Sequence, residues 1–207
     1  MKTNIKINLM RWNKAVTVIF MLLNSGQLSA AEAPAAEVLV SSSEEQAAIM
    51  KSLIVAEGFI DAFYSFDSSL LTPYLNKASD TSDNIRRYQR WAEGGNYKVL
   101  QRQPCRLDSP SVILCSITVQ DDPVQALQTG FNVTDTFHLT FENSHIMSID
   151  TSSNDQPIYF EAKQWVETNM PEVMNGPCDK DSNTLGDCAR AMTEGYKRFY
   201  MSINKLD

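Results

Sequence analysis

The sequence predicts an α+β domain: helices first, an antiparallel sheet next, a helical tail last. Three patterns carry that reading. Ile49, Leu53, Ala56, Ile60 and Phe63 recur at helical spacing. Phe131, Val133, Phe137, Leu139 and Phe141 alternate with Asn132, Thr134, Thr136, His138, Thr140 and Glu142, the period of a half-buried strand. Leu185, Ala189, Met192, Tyr196, Phe199 and Ile203 return to helical spacing.

Taken in order, Ser43-Glu44-Glu45-Gln46 reads as a capping box opening the first helix. Its second apolar stripe, Val55, Phe59, Ala62 and Phe66, means that it is covered on two sides. Asp67-Ser68-Ser69 breaks it and caps a short helix carrying Leu70, Leu71, Tyr74 and Leu75. Asp83 caps a third helix, with Ile85, Tyr88 and Ala92 on one side and Gly94-Gly95 at its end. Residues 97–107 and 111–120 read as two strands joined around Asp108-Ser109-Pro110, and residues 121–130 as a loop. After the alternating strand, Asn143-Ser144 is a two-residue turn into a partner at 145–151. Ile158–Met170 is helical, with Phe160, Ala162, Trp165 and Val166 as apolar positions, until Pro171 and Asn175-Gly176-Pro177 stop it.

The first 31 residues place the chain. Lys2, Lys6, Arg11 and Lys14 precede an apolar run at 15–23, and small residues end the segment at Ser29, Ala30 and Ala31. That order is a secretory signal peptide, and the run is about half of the roughly 20 residues that cross a bilayer. The chain is therefore expected in the periplasm or outside the cell, with a flexible stretch at 32–43. Without the four leader cations, 14 Lys and Arg face 25 Asp and Glu, a net charge of −11. So acidic a body repels nucleic acid and anionic membranes.

Four cysteines remain, as Cys105/Cys115 and Cys178/Cys188. An even count in an exported chain reads as disulfides, and of the three pairings the local one is favoured because each pair brackets a turn. Setting Cys105 opposite Cys115 also places Leu107 against Ile113. A zinc site would need closer Cys-x-x-Cys spacing, and no metal is expected.

Asp135 is the anomaly of its strand, since it falls on the phase of Val133 and Phe137. With Asn143-Ser144 as the turn, Phe137 sits opposite Asp150, so Asp150 shares that face and Asp135 is its diagonal neighbour. Two carboxylates on an apolar wall split their pKa values and act as acid and base. The alternatives are that both are solvated at the strand's open end, that Asp135 marks a bulge, or that a one-residue slip moves Asp150 to the other face. His138 and His145 share the outer face, about 13 Å apart along the strand, too far for one metal.

The order of elements resembles the nuclear transport factor 2-like superfamily, which includes ketosteroid isomerase-like and polyketide cyclase-like domains. The residues that carry the likeness are Phe59-Ile60-Asp61-Ala62-Phe63 through Asp67-Ser68-Ser69-Leu70-Leu71, the Tyr88–Gly95 helix end, and Phe137–Asp150. It covers residues 44–155, and residues 156–207 form a C-terminal helical extension beyond it. The resemblance implies a cone-shaped domain, its N-terminal helices packed in a curved antiparallel sheet around an apolar pocket. Phe59, Phe63, Tyr88, Trp91, Phe131, Val133, Phe137, Leu139 and Phe141 would line that pocket, with Asp61, Tyr64, Tyr74 and Tyr97 as further polar handles. It leaves a homodimer open and implies no cofactor. Three functions follow: a module binding a small apolar or amphipathic molecule, a cofactor-independent lyase or isomerase using Asp135 with Asp150, or a protein-interaction module. An inward Asp135 in a cavity favours the enzyme, an apolar cavity without it favours binding, and a filled interior favours interaction.

Overall fold

Helix α1 spans Ala35–Tyr64 in a computed structural model that describes residues 35–179 and 185–204, with side chains from residue 43 onward. The leader expected at 1–31 lies outside the described residues. Helix α1 starts eight residues before Ser43, so the capping box sits inside the helix. Residues 35–42, expected to be flexible, are helical; their Ala, Glu and Leu content favours that state.

Asp67 caps α2 (Ser68–Leu75), its Oδ1 accepting from the Ser69 N–H at 2.8 Å. Helix α3 spans Ser79–Gly94 and starts four residues before Asp83, which therefore caps nothing. Its first turn is tied to the sheet instead, because the Thr81 hydroxyl accepts from the Ile149 N–H at 3.1 Å.

Five antiparallel strands follow: β1 (Lys98–Arg102), β2 (Arg106–Ser109), β3 (Val112–Gln120), β4 (Val133–Glu142) and β5 (His145–Ser153). Their order is β1-β3-β4-β5, with β2 also on β3. The strand expected over 97–107 is thus two, interrupted at Gln103-Pro104-Cys105. Pro104 has no N–H to give a ladder. The Cys105 N–H turns to α1, donating to Glu57 Oε1 at 2.6 Å, and Arg102 pairs there with Glu57 and Asp61. Beyond the break, Leu107 faces Ile113 as expected, and Cys105 and Cys115 are bonded with their Cα atoms 4.3 Å apart.

Strand β4 alternates as its sequence predicts: Val133, Asp135, Phe137, Leu139 and Phe141 are buried. The turn at Asn143 and Ser144 has φ of 50° and 60°, the pair of positive values a two-residue hairpin uses. The pairing then slips. Glu142 faces His145 and Phe141 faces Ile146, but Thr140 faces Ser148, leaving Met147 as an extra residue. Asp150 accordingly faces His138, not Phe137, and is exposed on the outer side. The bulge turns both Ile146 and Ile149 inward and buries them, where strict alternation would have buried Asp150 in place of Ile149.

The loop after β3 holds a short helix, α4 (Asp122–Gln125). Helices α5 (Pro157–Asn169), α6 (Pro171–Met174) and α7 (Leu185–Ile203) complete the described chain, and Cys178 is bonded to Cys188. Two hydrophobic clusters result. One joins α1, α2 and α3 to the sheet through Phe59, Phe63, Phe137 and their neighbours. The other joins α5, α6 and α7 through Val166, Met192, Tyr196 and Phe199. They meet where α7 crosses α3. There Gly94 and Gly186 approach so closely that a Cβ at Gly94 would lie 2.2 Å from the Gly186 carbonyl oxygen. Among the described residues, no helix is long and apolar enough to cross a membrane.

Candidate functional site

Between the two clusters lies a half-open cavity of about 440 Å³. Strand β4 supplies Val133 and Asp135 to its wall, α3 supplies Tyr88 and Trp91, and Tyr97 follows from the α3–β1 connection. The opposite wall is helical: Tyr159, Phe160 and Lys163 from α5, Met192 and Tyr196 from α7, and the Cys178–Cys188 bridge. Thr151, Ser152 and Ser153 of β5, with Asp155 between β5 and α5, complete the polar part of the lining.

Asp135 is 3 % exposed and faces Ile117 and Ser153 across the sheet. The Tyr64 hydroxyl donates to its Oδ2 at 3.4 Å, and the Tyr88 hydroxyl is a second hydrogen-bonding neighbour. Desolvation pushes its pKa up to about 6, Asp155 adds to the rise, and the two phenols hold it down. The phenols respond in the opposite direction: burial, then the nearby carboxylate, raises Tyr64, and burial with neighbouring Tyr97 and Asp135 raises Tyr88. The result is a carboxylate that exchanges a proton near neutral pH, set between phenols that stay protonated.

Asp121 lies close behind. It ends β3 and caps α4, Oδ1 accepting from the Val124 N–H at 2.8 Å, while its buried Oδ2 has no hydrogen-bond partner. Burial lifts its pKa to about 7; the Val124 bond opposes this, and Asp135, Asp155 and Asp122 add to it. Tyr196 is fully buried, and its hydroxyl also lacks a partner at hydrogen-bonding geometry, although Tyr159 is near enough for each to alter the other's acidity.

The residues expected to form one pocket divide. Tyr88, Trp91, Val133 and Asp135 line the cavity. Phe59, Phe63 and Phe137 instead fill the interior beside α1, with ring centroids 5.6 Å apart for Phe59 and Phe137 and 4.9 Å for Phe63 and Phe137. Leu139 is buried with them, while Phe131 and Phe141 line two smaller hollows elsewhere. The Met147 bulge turns Asp150 to the outer face, away from Asp135, and it joins no part of the site. Asp61 is exposed and paired with Arg102, and Tyr74 packs on Phe59 away from the cavity. His138 binds Ser152 Oγ at 2.9 Å and His145 binds the Asn143 carbonyl oxygen at 2.9 Å. Among the described residues no group of three His, Cys, Asp or Glu is placed to hold a metal.

Sequence reasoning passed over Asp121, Asp155, Tyr159 and Tyr196 as site residues. Tyr196 sits at a regular apolar position of its helix, and Asp121 and Asp155 sit in connections, where carboxylates are ordinary. Strand register brings Asp121 and Asp155 toward Asp135, and the docking of the tail onto α3 adds Tyr159 and Tyr196. No family model, no curated protein and no solved structure matches the chain.

Proposed function

We propose that this protein takes a small amphipathic molecule into the cavity between sheet and tail, and that Asp135 acts there as a proton acceptor in a cofactor-independent lyase or isomerase reaction. The observation that supports it is a buried carboxylate with no cation beside it, held by Tyr64 and Tyr88 and titrating at about 6, on the wall of an open-mouthed cavity. Tyr97 would donate a hydrogen bond to the charge that develops when the substrate loses its proton. The reading keeps the nuclear transport factor 2-like cone as its fold hypothesis, with the tail closing one side of the pocket. It also keeps export, which the two disulfides fit.

The second reading is binding without turnover. It is favoured by the unreactive remainder of the wall: Val124, Val133, Met174, Met192 and the Cys178–Cys188 bridge. One experiment separates the two. Bound molecules are extracted from natively purified protein, identified by mass spectrometry, and returned to it in deuterated water. Wild type should exchange carbon-bound protons of the ligand, and Asp135→Asn should bind it but exchange none. A wild type that exchanges nothing, with unchanged affinity in Asp135→Asn, leaves the binding reading. Val133→Arg should abolish both properties by placing a charge in the cavity.

A further inference from the structure

We propose that the molecule this cavity selects is an organic cation, a protonated amine on a small apolar body, its ammonium group held between Asp135 and Asp155 against the aromatic wall. The inference rests on the cavity reading above and adds the charge of the ligand. Four observations carry it.

The cavity wall holds two carboxylates, with Asp121 close behind them, against a single cation. That cation, Lys163, is exposed and forms no ion pair among the described residues. A buried charge without a counter-ion is costly, and Asp155 raises the proton affinity of buried Asp135 and, with Asp135, that of Asp121. A cationic ligand supplies what the wall lacks.

Apart from Thr151, Ser152 and Ser153, most of the remaining wall is aromatic. Tyr88, Trp91, Tyr97, Tyr159, Phe160 and Tyr196 all border the same space. Ring faces attract a cation through their quadrupole, more strongly where water is excluded. Phe160 is 57 % exposed despite its size, as expected of a ring waiting at a mouth.

The Tyr196 hydroxyl, fully buried on the cavity wall beside Tyr159, has no partner at hydrogen-bonding geometry among the described residues. An ammonium N–H donating to its oxygen would satisfy it. This observation is independent of the acidic cluster and points to an occupant that donates hydrogen bonds.

The field of the whole chain agrees, since a net charge of −7 draws cations toward it and repels anions.

The test uses the full-length protein with both disulfides intact and three probes of similar size: phenethylammonium, phenethyl alcohol and phenylpropionate. Affinities are read by calorimetry at low ionic strength. Phenethylammonium should bind about tenfold tighter than the alcohol, with phenylpropionate weakest. Asp155→Asn should remove most of the cation's advantage and leave the alcohol's affinity unchanged. Equal binding of cation and alcohol, or a preference for the anion, overturns the charge assignment and leaves the cavity reading standing. A cation preference that survives Asp155→Asn overturns the placement between the carboxylates. If none of the three binds, the cavity reading falls as well.

Discussion

The two walls of the cavity are built on different principles. The sheet wall is held by register: Asp135, Phe137 and Leu139 of β4 each have fixed partners on both β3 and β5, and its interior is sealed by Phe59, Phe63 and Phe137 in edge-on contact. The helical wall has no ladder to hold it. It depends on its own cluster around Val166 and Tyr196, on the Cys178–Cys188 bridge, and on the close passage of α7 over Gly94. Each wall buries its own apolar surface, and the polar groups collect at the seam between them. Asp121, Asp135 and Asp155 are at that seam, where neither core demands an apolar side chain, and burial there shifts the protonation of Asp121 and Asp135.

If the sheet wall is the rigid partner, its largest loss comes from its centre. Phe137→Ala should cost about 4 kcal/mol, as removal of a fully buried aromatic ring does. Urea denaturation measures it, and a cost below about 1 kcal/mol would mean that the aromatic interior is not what holds the sheet.

The second test acts at the seam and has the opposite sign. Asp121 has a folded pKa of about 7 against a reference of 3.8, so its contribution to stability is full below the reference value and is lost as pH rises through 7. Asp121→Asn keeps the Oδ1 cap on α4 and removes the buried charge. The variant should come close to wild type near pH 4 and exceed it by about 4 kcal/mol near pH 8. Paired melts at the two pH values decide this, and equal stability at both would show that the seam is wetter than its burial indicates.

Opening each disulfide sharpens the contrast between walls. Each closes a loop of sequence separation 10, for which chain entropy gives about 2.5–3 kcal/mol. Replacing Cys178 and Cys188 by Ser should release amide protection in α5 and α7 and leave the sheet protected. Replacing Cys105 and Cys115 should release the β2–β3 edge instead. Hydrogen exchange that loosened both walls together in either variant would make them one cooperative unit.

The smallest effect concerns the joint. Gly94→Ala drives a methyl group into the Gly186 backbone, which cannot swing aside as a side chain does, and should cost about 2 kcal/mol. Near-ultraviolet circular dichroism should change through Trp91 and Trp165, and a silent substitution would mean that α7 is not clamped to α3.

Several parts of this design are local enough to be read from residue order. Alternation in β4 is one, because a pleat has period two whatever lies opposite; it places Asp135 inward without knowledge of the fold. The cysteine pairing and the Leu107–Ile113 register are another, since a short turn leaves the chain few ways to meet itself. The Asp67 cap and the Gly94-Gly95 stop are likewise decided within a turn of helix. The starts of α1 and α3 were less legible, because a helix extends upstream of a good cap when the preceding residues favour it or a distant strand ties down its first turn, as Ile149 does at Thr81.

Tertiary structure decided the rest, each time through a competition that residue order does not rank. The 97–107 segment broke because the Cys105 N–H and Arg102 found partners on α1. Met147 bulged because burying Ile149 is favourable and burying Asp150 is not. The space beside α1 filled with aromatic rings, and the cavity opened where the tail docks. The chain by itself determined which residue of β4 carries a charge inward. Only packing of the tail against α3 decided that this charge would meet Tyr159 and Tyr196, because contacts between remote segments depend on how two cores fit together.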